Sequence, residues 1–393
     1  MTVRGFSFST VEAAIKKPGR KDLGLIFSTV PATASAVFTT SSVKAAPVLV
    51  SREHIANGTA QALIVNSGNA NACTGEPGIA VAQETARLVA LALGIESTAV
   101  QVCSTGVIGV QMPFERIQAS IPKLVEGLST GALADVADAI MTTDTFAKME
   151  TMRGEAGGVD YSVAGIAKGA GMIMPNMATM LSFIITDAAV EQNFLQQTFR
   201  RAVDASFNAI TVDGDMSTND TCLIMANGMA GNPIIGEGSA EGYAFSVTLN
   251  AVLLSLAKQI VKDGEGATKF VEIRVTGASN DADAKRAALA IGNSSLVKTA
   301  FFGQDANWGR IFAAVGYSGA EVDQTRLSLS FDDVCMARNG IFAGDDAEAR
   351  GTAVLRQKEF TVSVDLGIGS GTATIYTSDL THEYVSINAD YRS

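Results

Sequence analysis

The sequence predicts a mixed α/β protein built in two parts. Three observations predict it. Apolar runs of strand length, such as Gln61-Ala-Leu-Ile-Val65 and Met180-Leu-Ser-Phe-Ile-Ile185, alternate with segments of helical period, such as Glu191 to Ile210. The 393 residues exceed what one ordinary core holds. The texture then turns strand-rich after Lys262-Asp-Gly-Glu-Gly-Ala-Thr-Lys269, which sets a boundary near residues 262–275.

Composition narrows the class of function. A hydrophobic fraction of 47% with 18% charged residues fits a well-packed soluble enzyme. The net charge of −11 argues against nucleic acid and against an anionic membrane surface as partners. It leaves room for a small anionic substrate held by local lysines. The four cysteines form no CxxC pair and there are two histidines, so no structural zinc is expected. Scattered cysteines are expected to be reduced, buried thiols of a cytoplasmic protein. No secretory signal and no apolar stretch of membrane-span length is read.

Taken in order, Leu23–Ser28 and Ala36–Thr40 read as strands, preceded by a basic, solvated turn at Lys16–Lys21. Strand 61–65 runs into Asn66-Ser-Gly-Asn-Ala-Asn-Ala-Cys-Thr-Gly75. That loop either binds a polar substrate or satisfies its own backbone by Asx turns. A helix follows from Gly78 to Leu93, with Val81, Thr85, Leu88 and Leu91 near helical spacing. Strand Ala99–Cys103 ends in Ser104-Thr-Gly-Val-Ile-Gly109, where a hydroxyl and a backbone N–H can point the same way, as an oxyanion hole requires. Pro113 to Leu128 is helical with a break expected at Pro122. Leu133–Met141 is a helix leading to Thr142-Thr-Asp-Thr145.

Helix Glu191–Ile210 carries Leu195, Phe199, Ala202 and Val203 on one face. In Thr211–Asp220, an EF-hand loop starting at Asp213 fails because Thr218 and Ile224 stand where glycine and glutamate belong. A long helix spans 240–261. Strand Phe270–Val275, helix 281–291, a short helix ending at Val315, and strands 327–331, 359–364 and 373–376 complete the chain. Gly367-Ile-Gly-Ser-Gly371 reads as a hairpin turn rather than a nucleotide loop, because no helix follows it.

The stretch Gly165 to Leu181 stands apart. Three glycines flank Lys168, Pro175-Asn176 favours a turn, and Thr179 sits just before a buried strand. Locally, an ordinary loop entering a core strand explains this better. The rest of the chain raises its weight. No G-x-S-x-G elbow, HExxH, Walker A or Rossmann fingerprint occurs, and neither His54 nor His382 has a triad-like context. An N-terminal threonine needs no histidine, because its own α-amine can take the hydroxyl proton. Thr179 becomes N-terminal only if the Ala178–Thr179 bond is cut.

Gly169-Ala-Gly-Met-Ile-Met-Pro-Asn-Met-Ala-Thr-Met-Leu181 resembles the signature of the ornithine acetyltransferase (glutamate N-acetyltransferase) family of arginine biosynthesis. Segments 15–23, 43–47, 66–75, 104–109, 142–145, 263–269, 307–310 and 387–392 also resemble family segments, in family order. Ser393 stands where many members have Thr.

The resemblance implies an αββα-type sandwich, with mixed sheets between helix layers, plus a smaller C-terminal α/β domain. Residues 1–265 would form the catalytic domain and 266–393 the smaller one, whose tail returns to the active site. It implies self-cleavage between Ala178 and Thr179. A ping-pong transfer of acetyl from N2-acetyl-L-ornithine to L-glutamate through acetyl-Thr179 would follow. Thr105 and Gly106 would form the oxyanion hole. Thr142, Lys168, Thr179, Glu265, Asn388 and Ser393 would contact substrate, Lys168 suiting a carboxylate and Glu265 an amino group. No metal or other cofactor is implied, acetyl-CoA is left open as a second donor, and the assembly expected is a dimer of cleaved αβ units. Two alternatives stay open: a related self-processing aminopeptidase or amidohydrolase, and an unprocessed, inactive amino-acid-binding relative.

Overall fold

The computed structural model describes residues 3–174 and 180–390. The strands are β1 Phe6–Val11, β2 Leu23–Phe38, β3 Thr59–Asn69, β4 Val100–Val107, β5 Lys148–Ala156, β6 Val159–Lys168, β7 Leu181–Thr186, β8 Thr221–Ala226, β9 Phe270–Ala278, β10 Ser328–Phe331, β11 Val334–Arg338, β12 Ile341–Phe342, β13 Glu359–Asp365 and β14 Gly371–Ser378. The helices are α1 Ala46–His54, α2 Gly75–Leu93, α3 Phe114–Glu126, α4 Leu133–Ala139, α5 Gln192–Ala205, α6 Ala240–Lys262, α7 Asp281–Asn293, α8 Ser295–Phe302, α9 Trp308–Gly316, α10 Asp345–Leu355 and α11 His382–Asp390.

Two mixed sheets form, as the fold class requires. The first has eight strands in the order β4-β3-β2-β8-β7-β6-β5, with β1 beside β2. It is one hydrogen-bonded sheet folded over along β2. The first half of β2 pairs with β1 and β3, and its second half pairs with β8. The pairing with β3 shifts register between Phe27 and Ala32, around Pro31, which has no N–H to donate. Two strands expected here, 23–28 and 36–40, are therefore one.

Period-2 alternation then sorts side chains between layers. Leu63 and Val65 of β3 face inward and share a core with Ile166, Leu181, Phe183 and Leu223 of the opposite half. Ala62 and Ile64 face outward and meet α2 and α3. Ile184, Cys222 and Ile224 face outward on the other side and meet α5 and α6. Helix, sheet, sheet, helix is the resulting order.

The second sheet has the order β12-β11-β10-β13-β9-β14, with α7 packing Ala284, Ala287, Ala288 and Ile291 into its core. The two sheets are tied where Phe270 and Tyr376 join the core under α6, and where Thr211 N donates to Tyr376 O at 3.0 Å.

Several expectations need correction. α3 runs through Pro122 without a break, and the carbonyl that Pro122 leaves without its helical donor belongs to Gln118 on the exposed face. The buried face of α2 is the small-residue row Gly78, Ala82, Thr85, Ala86, Val89 and Ala90, while Leu91 is 71% exposed. Residues 367–371 make no hairpin: β13 and β14 lie on opposite sides of β9, and the connection crosses its end, with Ile368 N and Gly369 N donating to Gly277 O. α6 is long and apolar enough to span a membrane, contrary to the sequence reading, but Phe245, Leu249, Leu253, Leu256 and Ile260 pack it into the core. Cys103 and Cys222 are buried thiols, whereas Cys73 is exposed. The β5–β6 hairpin, α8, α10, β11 and β12 had no counterpart in the sequence reading.

Candidate active site

A cavity opens where β3, β4 and β6 end and β7 and β8 begin. Its lining brings together Thr105, Gly106, Thr142, Lys168, Glu265 and Asn388, drawn from segments far apart in the chain. Ala178, Thr179 and Ser393 lie outside the described residues.

Thr105 and Gly106 sit in the last turn of β4, parallel to the end of β3. Gly106 has φ +135°, and a Cβ there would lie 2.3 Å from the Gly68 carbonyl carbon. Only glycine allows this approach. Ser104 Oγ donates to Asn66 Oδ1 at 2.6 Å, and Asn219 Nδ2 donates to Ser104 O at 2.8 Å and Ala70 O at 2.6 Å. The asparagine-rich loop mostly satisfies itself: Asn66 Nδ2 donates to Asn69 O, Asn71 N to Asn69 Oδ1, and Asn71 Nδ2 to Gly78 O. Of its two readings, the structural one holds for these asparagines, with Ala70 alone of the loop on the cavity wall.

Lys168 ends β6 and is 3% exposed. Its Nζ lies 3.5 Å from Thr105 Oγ1. Burial pulls its pKa down, while Asp144 beside it pulls the other way. Asp144 is itself buried, which raises its pKa, but Lys168 and Lys148 outweigh this and hold it at about 2. The Asp144 carboxylate accepts from Gly169 N at 2.7 Å, Lys148 Nζ at 2.7 Å and Thr142 N at 2.9 Å. Lys148 continues to Asp263, which also accepts from Thr145 N. The Thr142-Thr-Asp-Thr145 segment is thereby tied to the glycine loop and to the end of α6. Arg20, expected in a solvated turn, also supports it by donating to Met141 O at 2.8 Å.

The far wall is Glu265 and the tail. Glu265 N donates to Ala170 O at 2.9 Å, and Asn388 Nδ2 of α11 donates to Glu265 Oε2 at 2.7 Å. Asn388 of α11 thereby lines the cavity. Gly171 fits beneath Glu265, where a Cβ would lie 2.3 Å from Oε2. Asp213 accepts from Met172 N and Ile173 N, and from the Tyr384 hydroxyl of α11 at 3.3 Å. Burial raises the pKa of Asp213. Among the described residues no cluster of His, Cys, Asp and Glu is arranged to hold a metal ion.

Sequence reasoning missed Ser217, Thr218 and Asn219 on the cavity wall. The signal is the polar run from Asp213 to Asp220 that leads into the buried strand β8. The cavity thus gathers the Thr105 hydroxyl, the Gly106 backbone, a buried cation 3.5 Å from that hydroxyl and a carboxylate, group types that can stabilise an oxyanion and orient a zwitterionic substrate.

The family model described as "ArgJ family" matches residues 7–393. The arginine biosynthesis bifunctional protein ArgJ of Geobacter sulfurreducens is 67% identical over 393 residues, covering 100% of both chains. The same-named protein of Syntrophotalea carbinolica is 56% identical over 391 residues, covering 100% of this chain and 99% of that one. The crystal structure of arginine biosynthesis bifunctional protein argJ from Bacillus halodurans is 43% identical with a TM-score of 0.52, over 53% of this chain and 98% of that chain.

Proposed function

This chain belongs to the ArgJ family, and from that premise we propose that it transfers acetyl from N2-acetyl-L-ornithine to L-glutamate in arginine biosynthesis. The single observation that carries the reading is the cavity that gathers Thr105, Gly106, Thr142, Lys168, Glu265 and Asn388. In this reading the Thr179 hydroxyl attacks the Ala178 carbonyl, and water opens the resulting ester to free Thr179. The freed α-amine then serves as base. Thr179 Oγ attacks the acetyl carbonyl, its proton passing to the amine. The oxyanion takes hydrogen bonds from Thr105 Oγ1 and Gly106 N. The proton moves to the departing nitrogen and ornithine leaves. The glutamate amine then attacks the acetyl-Thr179 ester, loses a proton to the α-amine, and leaves as N-acetylglutamate while Thr179 Oγ is reprotonated.

Lys168 suits the substrate carboxylate and Glu265, braced by Asn388, suits an ornithine amino group. Thr142 and Ser393 complete the substrate contacts. Residues 1–265 act as the catalytic part and 266–393 as the smaller part that supplies the tail. No metal or prosthetic group takes part, and acetyl-CoA serves as an alternative acetyl donor. The working form is a cytoplasmic dimer of cleaved αβ units, without nucleic-acid or membrane partners.

The test is mass spectrometry of the purified protein together with acetyl transfer from acetylornithine, and in parallel from acetyl-CoA, to glutamate. Fragments 1–178 and 179–393 and transfer without net acetate release are expected, and Thr179→Ala should lose both cleavage and turnover. An intact chain in active preparations, or normal cleavage in Thr179→Ala, would overturn the nucleophile. Acetate release in place of transfer would favour the amidohydrolase alternative.

A further inference from the structure

The basic run before β2 has no part in the mechanism above. Lys16, Lys17, Arg20 and Lys21 place four cations in six consecutive residues of a chain whose net charge is −11. The two acids of the same stretch are turned to backbone N–H groups. Glu12 Oε1 accepts from Gly19 N at 2.9 Å, and the buried Asp22 accepts from Ala13 N and Ile15 N. Arg20 gives its guanidinium to the Ala139 and Met141 carbonyls, at 3.3 and 2.8 Å. Among the described residues, Lys17, Arg20 and Lys21 form no ion pair. A cavity of about 150 Å³ is lined by Lys16, Lys17, Arg20, Gly68, Met141 and Thr142, with Asp22 at its wall. It adjoins the catalytic cavity, because Thr142 lines both. Gly68 lies between the basic run and the oxyanion-hole strand. A Cβ on Gly68 would sit 3.0 Å from Lys16 Cβ, and one on Gly106 would sit 2.3 Å from the Gly68 carbonyl carbon.

Acetylornithine offers these cations nothing to hold, since its single carboxylate is assigned to the buried Lys168. A donor with several negative charges beyond its acetyl group would use them. In acetyl-CoA the pantetheine arm sets the phosphates well away from the thioester, so they must lie outside the cavity that takes the acetyl group. We propose that the pocket of Lys16, Lys17 and Arg20 binds the phosphates of CoA when acetyl-CoA is the donor. This rests on the reading of acetyl-CoA as an alternative donor. Ammonium and guanidinium groups hold phosphate by charge-assisted hydrogen bonds. A local patch of cations also draws a polyanion to an otherwise acidic protein. The pocket acts by binding alone. In the transfer itself the acetyl carbon exchanges its bond to sulfur for one to the nucleophilic oxygen, and the hydroxyl proton leaves on the thiol of CoA.

The experiment uses the full chain and compares wild type, Lys17→Gln and the double variant Lys16→Gln/Lys17→Gln. Each is assayed for acetyl transfer to glutamate from acetyl-CoA, from acetylpantetheine, which carries the same thioester without phosphates, and from acetylornithine. Both lysines are exposed, and turnover with acetylornithine reports that the variants fold. The KM for acetyl-CoA should rise about fivefold in Lys17→Gln and about twentyfold or more in the double variant. The KM values for acetylpantetheine, acetylornithine and glutamate should stay within about twofold. Added salt should weaken acetyl-CoA more than acetylornithine, because exposed cations are screened and the buried Lys168 is not. An unchanged KM for acetyl-CoA in the double variant overturns the proposal, as does a wild type that uses acetylpantetheine as well as acetyl-CoA. A KM for glutamate that rises with acetylornithine as donor assigns the pocket to the second carboxylate of the acceptor and overturns it too. A wild type that transfers from acetylornithine but not from acetyl-CoA overturns the donor reading and the pocket with it, whereas use of acetyl-CoA by wild type and variants alike overturns the pocket alone.

Discussion

Gly171→Ala tests the substrate-binding wall with one methyl group. The backbone of Gly171 is not in the left-handed region, so alanine brings no conformational strain of that kind. The new Cβ would lie 2.3 Å from Glu265 Oε2, 2.5 Å from Cδ and 2.7 Å from Oε1. These are the far end of a flexible side chain, so the carboxylate moves while the backbone stays. Moving it breaks the 2.7 Å bond from Asn388 and withdraws the charge offered to a substrate amino group. A hydrogen bond to a charged group contributes about 1.5–3 kcal/mol. The KM for acetylornithine should therefore rise roughly tenfold to a hundredfold. The assay is steady-state acetyl transfer on processed protein, with the thermal midpoint as a control for folding. A KM within about twofold of wild type, at normal stability, would refute the assignment of Glu265 as a substrate contact.

Three further outcomes are expected. Lys148 is fully buried between Asp144 and Asp263, so Lys148→Met should cost about 3–5 kcal/mol by leaving the buried Asp263 carboxylate without its cation, read as a shift in urea midpoint; a loss below about 1 kcal/mol would contradict this. Thr105→Val removes one oxyanion donor at constant shape and should lower kcat roughly a hundredfold or more, with cleavage slowed as well, since the same donors serve both steps; normal rates for both would show that Thr105 is only structural. Two buried groups set opposite pH trends. Asp144 is held at about 2, below its ordinary 3.8, so its stabilisation is present above pH 3.8 and is lost as pH falls towards 2. Burial lowers Lys298 from 10.5 to about 7, despite Asp379 and Asp213, so its penalty is present below pH 7 and is relieved as pH rises towards 10.5. Unfolding midpoints across pH should show both slopes, and Lys298→Met should flatten the second.

What the sequence by itself determined was local chemistry and periodicity. The buried strand after Thr179, the face of α5, the Thr105-Gly106 pair at a strand end and the glycines around Lys168 follow from period and from residue type. They are properties of a few neighbouring residues. The matches along the whole chain then associated Glu265 and Asn388 with the same site. The tertiary structure alone decided how those pieces meet. That β2 is one long strand on which the sheet folds over depends on pairing with β3 and β8, which are distant in sequence. The place of residues 367–371 beside β9, rather than in a hairpin, is likewise a matter of long-range pairing. The roles of Asp144, Lys148 and Asp263 were hidden because a buried charge is identified by what surrounds it. Asp220 shows this most plainly. In the sequence it is the last residue of a polar run. In the fold, the strand ladder brings its buried carboxyl to Met180 N, which donates to it at 3.1 Å.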